Sequence, residues 1–265
     1  MTFEVLMSCM HQKNMDIIER SNLSDIQTLI VNQCDTTVEE IKTIGKHRML
    51  NTSTRGLSVS RNLAIENANA DICLISDDDE IFVNNLQDVV LKGYEKFSDA
   101  DIVIYKLSNR YKKLGNKPRR LKKYEMLRVA SWQISFKTQS IKNVVGFDLL
   151  LGAGTGNGAG EENKFLLDAI KAGLKVYYVP EVIGEAINDS SSTWFFGYDE
   201  RFFYNQGQTT RYTLGFLIST AYAIYTLIKQ FPKYKGNISF LKAGKALFKG
   251  IIDNELGKQK KTQHR

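Results

Sequence analysis

The chain has 265 residues, 43% hydrophobic and 25% charged, enough to bury the core of one large domain or of a domain with a tail; this balance excludes an intrinsically disordered chain. Its three cysteines, Cys9, Cys34 and Cys73, are odd in number and lack CxxC or Cys/His spacing, which argues against a disulfide framework or zinc site and for a reducing cytoplasm. The N-terminus lacks a signal-peptide pattern, and the longest apolar run, 214–228, falls short of the roughly 20 residues that cross a bilayer.

The formal net charge of +7 is unevenly placed. Residues 106–128 hold ten Lys/Arg and one acid, Glu125, while residues 229–265 hold ten Lys/Arg and two acids, Asp253 and Glu255. The rest of the chain is therefore acidic. Two basic stretches on an acidic body suit nucleic acid, anionic lipid headgroups or a phosphorylated substrate, or else are merely solvated surface.

Read in chain order, short apolar runs alternate with segments of helical period. Strands are expected at 3–9, 26–32, 47–52, 70–76, 100–107, 131–137 and 174–180. Helices are expected at 14–21, 37–45, 84–97 and 161–172, with a loop entering a helix over 56–68. This alternation implies an α/β domain with a mostly parallel central sheet flanked by helices, whose ligands gather outside the carboxyl ends of the strands. From 186 onward the pattern changes to an aromatic-rich stretch, a long helical segment at 209–230 and a Lys-studded tail. Residues 238–252 place Ile238, Leu241, Ala246, Leu247, Phe248 and Ile251 roughly on one face and Lys242, Lys245 and Lys249 on another. Such a basic amphipathic helix either lies in a membrane interface or packs its apolar face on the main domain.

The stretch LISDDDEIF (74–82) sets Asp77, Asp78, Asp79 and Glu80 just past a strand end. Adjacent carboxylates repel, and a divalent cation shared with a phosphorylated ligand offers the counter-charge. The alternative is a solvated acidic turn before the helix that begins near Asn84. GAGTGNGAG (152–160) satisfies neither GxGxxG nor a P-loop and reads as a mobile glycine loop. With no GxSxG or HExxH, and His11, His47 and His264 as the only histidines, a His-based nucleophilic mechanism has little to draw on.

The ordered set of a strand ending near Ser8, VNQCD, GLSVSRN, the acidic triplet and GAGEENKFLLDAIKAG resembles a family 2 glycosyltransferase of the GT-A fold over residues 3 to about 185. The resemblance implies a GT-A domain at 1–185, with 1–105 as the nucleotide-sugar half and 106–185 as the acceptor half, and a helical, basic extension at 186–265. It implies inverting transfer of a sugar from a nucleotide diphosphate, a UDP-sugar by preference, to a hydroxyl of a saccharide or lipid-linked acceptor in surface polysaccharide synthesis. It further implies a divalent cation, Mn2+ or Mg2+. The basic stretch 106–128 lies where the family admits its acceptor and suits a lipid-linked pyrophosphate at the inner, cytoplasmic face of a membrane, with the basic tail as a second anchor on an anionic surface, whereas an acidic body with carboxylate clusters at strand ends argues against a nucleic acid partner.

Carried over residue by residue, the resemblance puts Asp77, Asp78 and Asp79 at the DxD position, with Asp79 on the metal and Asp77 on the ribose or also at the metal. Arg61 falls near the nucleotide, and Ser8 lies at the donor site. Glu162 falls on the base position, with Glu161 orienting or binding beside it. Gln33 fills the slot where the family has a base-contacting Asp, with Asp35 as the alternative. Tyr111 and Tyr124 sit among the cations of the basic stretch, and Trp132 and Trp194 either stack on sugar rings or pack in the core. The readings weighed against an enzyme of this kind are a non-catalytic membrane- or nucleic-acid-binding module and a nucleotidyltransferase on a related fold.

Overall fold

The computed structural model describes residues 1–36, 39–108, 114–157, 159–187, 195 and 197–263, with backbone alone at 261–263. Tyr111 of the basic stretch and Trp194, read as a sugar platform or a core residue, lie outside the described residues. The chain divides into two compact units, Met1–Asp148 with Glu162–Ser190, and Leu149–Glu161 with Ser191–Arg265.

The first unit is built on one ten-stranded sheet: β1 (Phe3–Met10), β2 (Thr28–Gln33), β3 (Glu40–Ile44), β4 (His47–Thr52), β5 (Ile72–Ser76), β6 (Glu80–Phe82), β7 (Ile102–Leu107), β8 (Arg119–Arg120), β9 (Ile134–Lys137) and β10 (Val176–Ala186). The strand order is β3-β4-β2-β1-β5-β9-β7-β10-β6, with β8 paired to β10. The helices of the sheet region are α1 (Ile17–Arg20), α2 (Leu57–Glu66), α3 (Leu86–Lys96), α4 (Thr138–Ile141) and α5 (Glu161–Lys171).

Strands β4, β2, β1 and β5 are parallel neighbours. β1 and β5 are buried almost throughout, which is why they read as unbroken apolar runs rather than as alternations. The sheet is nevertheless mixed, because β9 runs against both β5 and β7. Its entry explains the reversal. Ser131, just ahead of β9, hydrogen-bonds Asp77 at the carboxyl end of β5, so the chain that follows can only run back down the sheet.

The helix expected at 37–45 is not what forms at 40–44. That segment is the exposed edge strand β3, folded back on β4 through Gly45 at φ +59°. A turn that needs positive φ sets the hairpin, and a strand exposed on both faces has no apolar alternation to announce it.

The second unit is helical, with α6 (Glu200–Leu214), α7 (Phe216–Tyr234), α8 (Phe240–Asp253) and α9 (Glu255–Gln263). The single helix expected over 209–230 is broken at Gly215, which has φ +77°. Asp199 caps α6 by accepting from Phe202 N at 2.7 Å. α6 and α8 cross at glycines: a Cβ on Gly207 would stand 2.1 Å from the Leu247 carbonyl oxygen, and one on Gly250 would stand 2.1 Å from that of Tyr204. Around this crossing Phe203, Ala223, Leu227, Tyr234, Leu247 and Ile251 form the core. Leu247 and Ile251 therefore bury most of the apolar face of α8 inside the helical unit, while Leu241 at its start stays exposed.

Candidate active site

β5 delivers its last residue, Ser76, into the turn Asp77–Asp79, and β6 begins at Glu80 by pairing antiparallel with the end of β10. The turn is tied down when Ile187 N donates to the Asp79 carbonyl at 2.6 Å. Glu80 is fully buried, and its Oε2 accepts from Ser76 Oγ and Asp77 N, both at 2.9 Å. Its Oε1 is buried with no hydrogen-bond partner among the described residues. Burial, with the charges of Asp77 and Asp79 beside it, pushes the Glu80 carboxyl well above the usual range. A buried carboxylate with one idle oxygen is costly unless something positive completes it.

Arg61, 2% exposed on α2, donates Nη2 to Asp77 Oδ1 at 2.7 Å, and its guanidinium carbon lies 5.3 Å from the Phe147 ring centroid. Ser131 Oγ donates to Asp77 Oδ2 at 3.3 Å. Both oxygens of Asp77 are thus held by protein donors, which orients it. Ser8, buried at the upper part of β1, accepts from Ser60 Oγ at 2.9 Å and so locks α2, which carries Arg61, to the central strand.

Gln33 sits differently from its expected place as a base reader. It is buried, and its amide nitrogen donates to the Thr54 and Gly56 carbonyls at 3.0 and 3.2 Å. Those donors shape the loop into α2 and are not available to a nucleobase. Asp35 is exposed and paired with Arg55, whose guanidinium also spans the Cys34, Ser53 and Thr54 carbonyls.

Glu161 is buried and Glu162 partly buried in the first turn of α5. Asn163 follows, and its side-chain amide donates to the carbonyls of Met126 and Val129 at 2.9 and 3.0 Å. Those carbonyls lie within and just after a 3-10 turn, Lys123–Arg128, that leads to Ser131 and hence to Asp77. A short chain of contacts therefore links the residue after Glu162 to the acid turn.

Asp77, Asp79 and Glu80 can each present a carboxylate oxygen, all within 4.8 Å of one another. An oxygen-only donor set containing a buried, unpaired carboxylate oxygen fits a hard divalent cation such as Mg2+ or Mn2+. Asp78 is exposed and is not part of this trio.

Glu80, Arg55, Ser131 and Asn163 are the site residues that sequence reasoning passed over. Of these, only Glu80 carried a signal, as the fourth acid of the run. Trp132, offered as a sugar platform, is 8% exposed and packs in the sheet core. Tyr124 is exposed. The glycine segment 152–160, read as a mobile loop, is pinned where Asn205 donates to the Gly156 carbonyl at 2.8 Å and Gly152 N donates to the Asn157 carbonyl at 3.0 Å.

Solved structures resemble this chain over nearly its whole length. S. aureus TarS 1–349 in complex with UDP-GlcNAc matches with a TM-score of 0.63 at 12% identity, covering 96% of this chain and 80% of that one. The mannosyltransferase PcManGT from Pyrobaculum calidifontis, in complex with GDP-Man and Mn2+, matches with a TM-score of 0.53 at 12% identity, covering 96% and 87%. Against a longer S. aureus TarS structure the TM-score is 0.56 at 13% identity, and the match covers 79% of this chain but only 39% of that one. No curated protein sequence matches this chain.

At such identities the likeness defines the class by fold alone: an α/β domain of the GT-A type, the fold of nucleotide-sugar transferases. Residues 5–155 match the model of glycosyl transferase family 2, and the chain belongs to that family. The match includes Arg61 and the acid turn, whereas Glu161 and Glu162 lie beyond it.

Proposed function

We propose that the protein is a metal-dependent, inverting glycosyltransferase that draws a hexosyl or N-acetylhexosaminyl group from a nucleotide diphosphate donor, UDP-sugar by preference. Its acceptor is a hydroxyl of a saccharide or lipid-linked molecule in surface polysaccharide synthesis. The observation that carries this reading is the Asp77, Asp79 and Glu80 cluster, set at the carboxyl end of a parallel strand beside a buried Arg61.

Asp79 and Glu80 would hold the cation directly, with Asp77 kept in line by Arg61 and Ser131 and able to share it or to meet the ribose. When bound, the cation supplies positive charge to the departing diphosphate without moving a proton. Arg61 adds a fixed charge on the same side. Ser8 and Asp35 border the donor site at the ends of β1 and β2, and Asp78 stands at its exposed rim.

Glu162 accepts the proton of the acceptor hydroxyl as its oxygen attacks the anomeric carbon from the face opposite the diphosphate, which inverts that carbon. Glu161 orients or binds at the same helix start. Asn163 and the 3-10 turn it holds keep Glu162 in register with the acid turn.

A panel of nucleotide sugars, scored for metal-dependent hydrolysis or transfer, tests the reading. At least one UDP-sugar should turn over, and Glu162→Gln should abolish turnover while leaving UDP affinity nearly intact. Retained turnover removes Glu162 from the base role. A panel that is silent with every sugar and either metal counts against the transferase reading as a whole.

A further inference from the structure

α7 carries its large aliphatic side chains outward. Its inner face, packed into the helical core, offers Ser219, Ala223, Thr226 and Leu227. Its outer face offers Leu217, Ile224, Ile228 and Phe231, which are 82%, 50%, 63% and 39% exposed. Their spacing puts all four on one stripe of the helix. The stripe does not stop at the helix end, because the Phe231 ring lies 5.8 Å from that of Phe240, and Leu241 beside it is 75% exposed. A water-soluble surface scatters such residues singly; a continuous run of them marks a contact surface.

The charge around the stripe identifies what it contacts. Residues 211–252 contain seven Lys/Arg and no Asp or Glu. Lys229 and Lys233 lie in the C-terminal part of α7 and Lys235 follows it, and Lys242, Lys245 and Lys249 come next on α8, all exposed. Lys229 donates to the Tyr225 hydroxyl at 2.8 Å, so its apolar stem lies along the helix while the residue stays exposed.

A second copy of this chain would bring the same cations against these with no acid to pair them, which costs rather than gains. A nucleic acid would meet the lysines but has no use for a stripe of leucine and isoleucine. An anionic bilayer satisfies both features, since headgroups pair with the lysines and the acyl boundary takes the aliphatic side chains. Among the described residues no helix is long and apolar enough to cross a membrane, so the contact is one of lying on the surface.

We propose that the outer face of α7, extended by Phe240 and Leu241, seats the protein in the interface of an anionic bilayer, with the Lys229–Lys249 cations on lipid phosphates. Of the α8 face that the sequence suggested, Ile238, Leu247 and Ile251 are buried, and Leu241 joins this surface.

Flotation of the full chain with lipid vesicles tests the assignment. Vesicles of phosphatidylcholine with roughly one-third phosphatidylglycerol should carry the wild type, and pure phosphatidylcholine should not. Replacing Leu217, Ile224 and Ile228 together by Ser should abolish flotation. Replacing Lys229, Lys233 and Lys235 by Gln should weaken it about 100-fold, near fivefold per lysine. All six positions are exposed, so circular dichroism should stay at the wild-type level in both variants. The proposal is overturned by no flotation of the wild type, by equal flotation on neutral vesicles, or by wild-type flotation of the Ser variant. A wild-type dimer that the Ser variant dissolves, without vesicle binding, assigns the face to a second copy instead.

Discussion

Arg61 and Asp77 form a 2.7 Å ion pair at the carboxyl end of β5, with the arginine side chain 2% exposed. Removing one member leaves the other charged, poorly solvated and beside three more carboxylates. Arg61→Ala should therefore destabilise the fold by about 3 kcal/mol, the lower end of the range for broken buried pairs, because Asp77 keeps some solvent contact. Thermal unfolding measures this, and Arg61→Lys should recover only part of the loss because a point charge cannot reproduce the planar fork. An unchanged midpoint in Arg61→Ala would show that the pair is incidental.

Asn163 acts on the site through the turn it holds. Asn163→Ala leaves the Met126 and Val129 carbonyls without their donor and should cost about 1–2 kcal/mol of stability. Its larger expected effect is on kcat, because Glu162 loses its fixed register with the acid turn, while UDP affinity stays near the wild-type value. A loss confined to UDP affinity would place Asn163 in the donor site instead.

The segment before that turn contains a pH-dependent clasp. Arg119 hydrogen-bonds both carboxylate oxygens of Glu125, at 2.8 and 2.6 Å, and this holds the Glu125 carboxyl below the usual glutamate range. With the folded value depressed, the clasp contributes fully above the unfolded value of about 4.3 and is lost as pH falls through the folded one. The Tm difference between wild type and Glu125→Gln should be present near neutrality and close as the solution is acidified below pH of about 4. A difference that is constant across that range contradicts the assignment.

In the helical unit the crossing of α6 and α8 has no room for a methyl group. Gly207→Ala or Gly250→Ala sets a Cβ against a backbone carbonyl, so the helices must part, at a cost of about 1–3 kcal/mol. Far-UV melting should resolve the loss, and an unaffected melt in both variants would mean that the crossing relaxes freely.

Much of this fold is legible in the sequence because it depends on local pattern. β1 and β5 are buried on both faces and read as apolar runs, and α5 begins at the glutamate pair where the spacing places it. What the sequence conceals depends on distant neighbours. Glu80 looks like one more solvated acid, yet pairing with β10 carries it fully inside, while Asp78 stays at the surface. Gln33 looks like a base reader because its position in the motif is right, but its amide is claimed by the loop ahead of α2. The direction of β9 follows from a serine on an irregular turn, which no periodicity announces.

The most direct test of the account is a calorimetric titration of UDP into the protein with Mn2+, with EDTA, and in Asp79→Ala with Mn2+. Tight binding is expected in the first case and at least tenfold weaker binding in the other two, since the cation couples the diphosphate to the acid turn. UDP affinity that is equal in all three would contradict it.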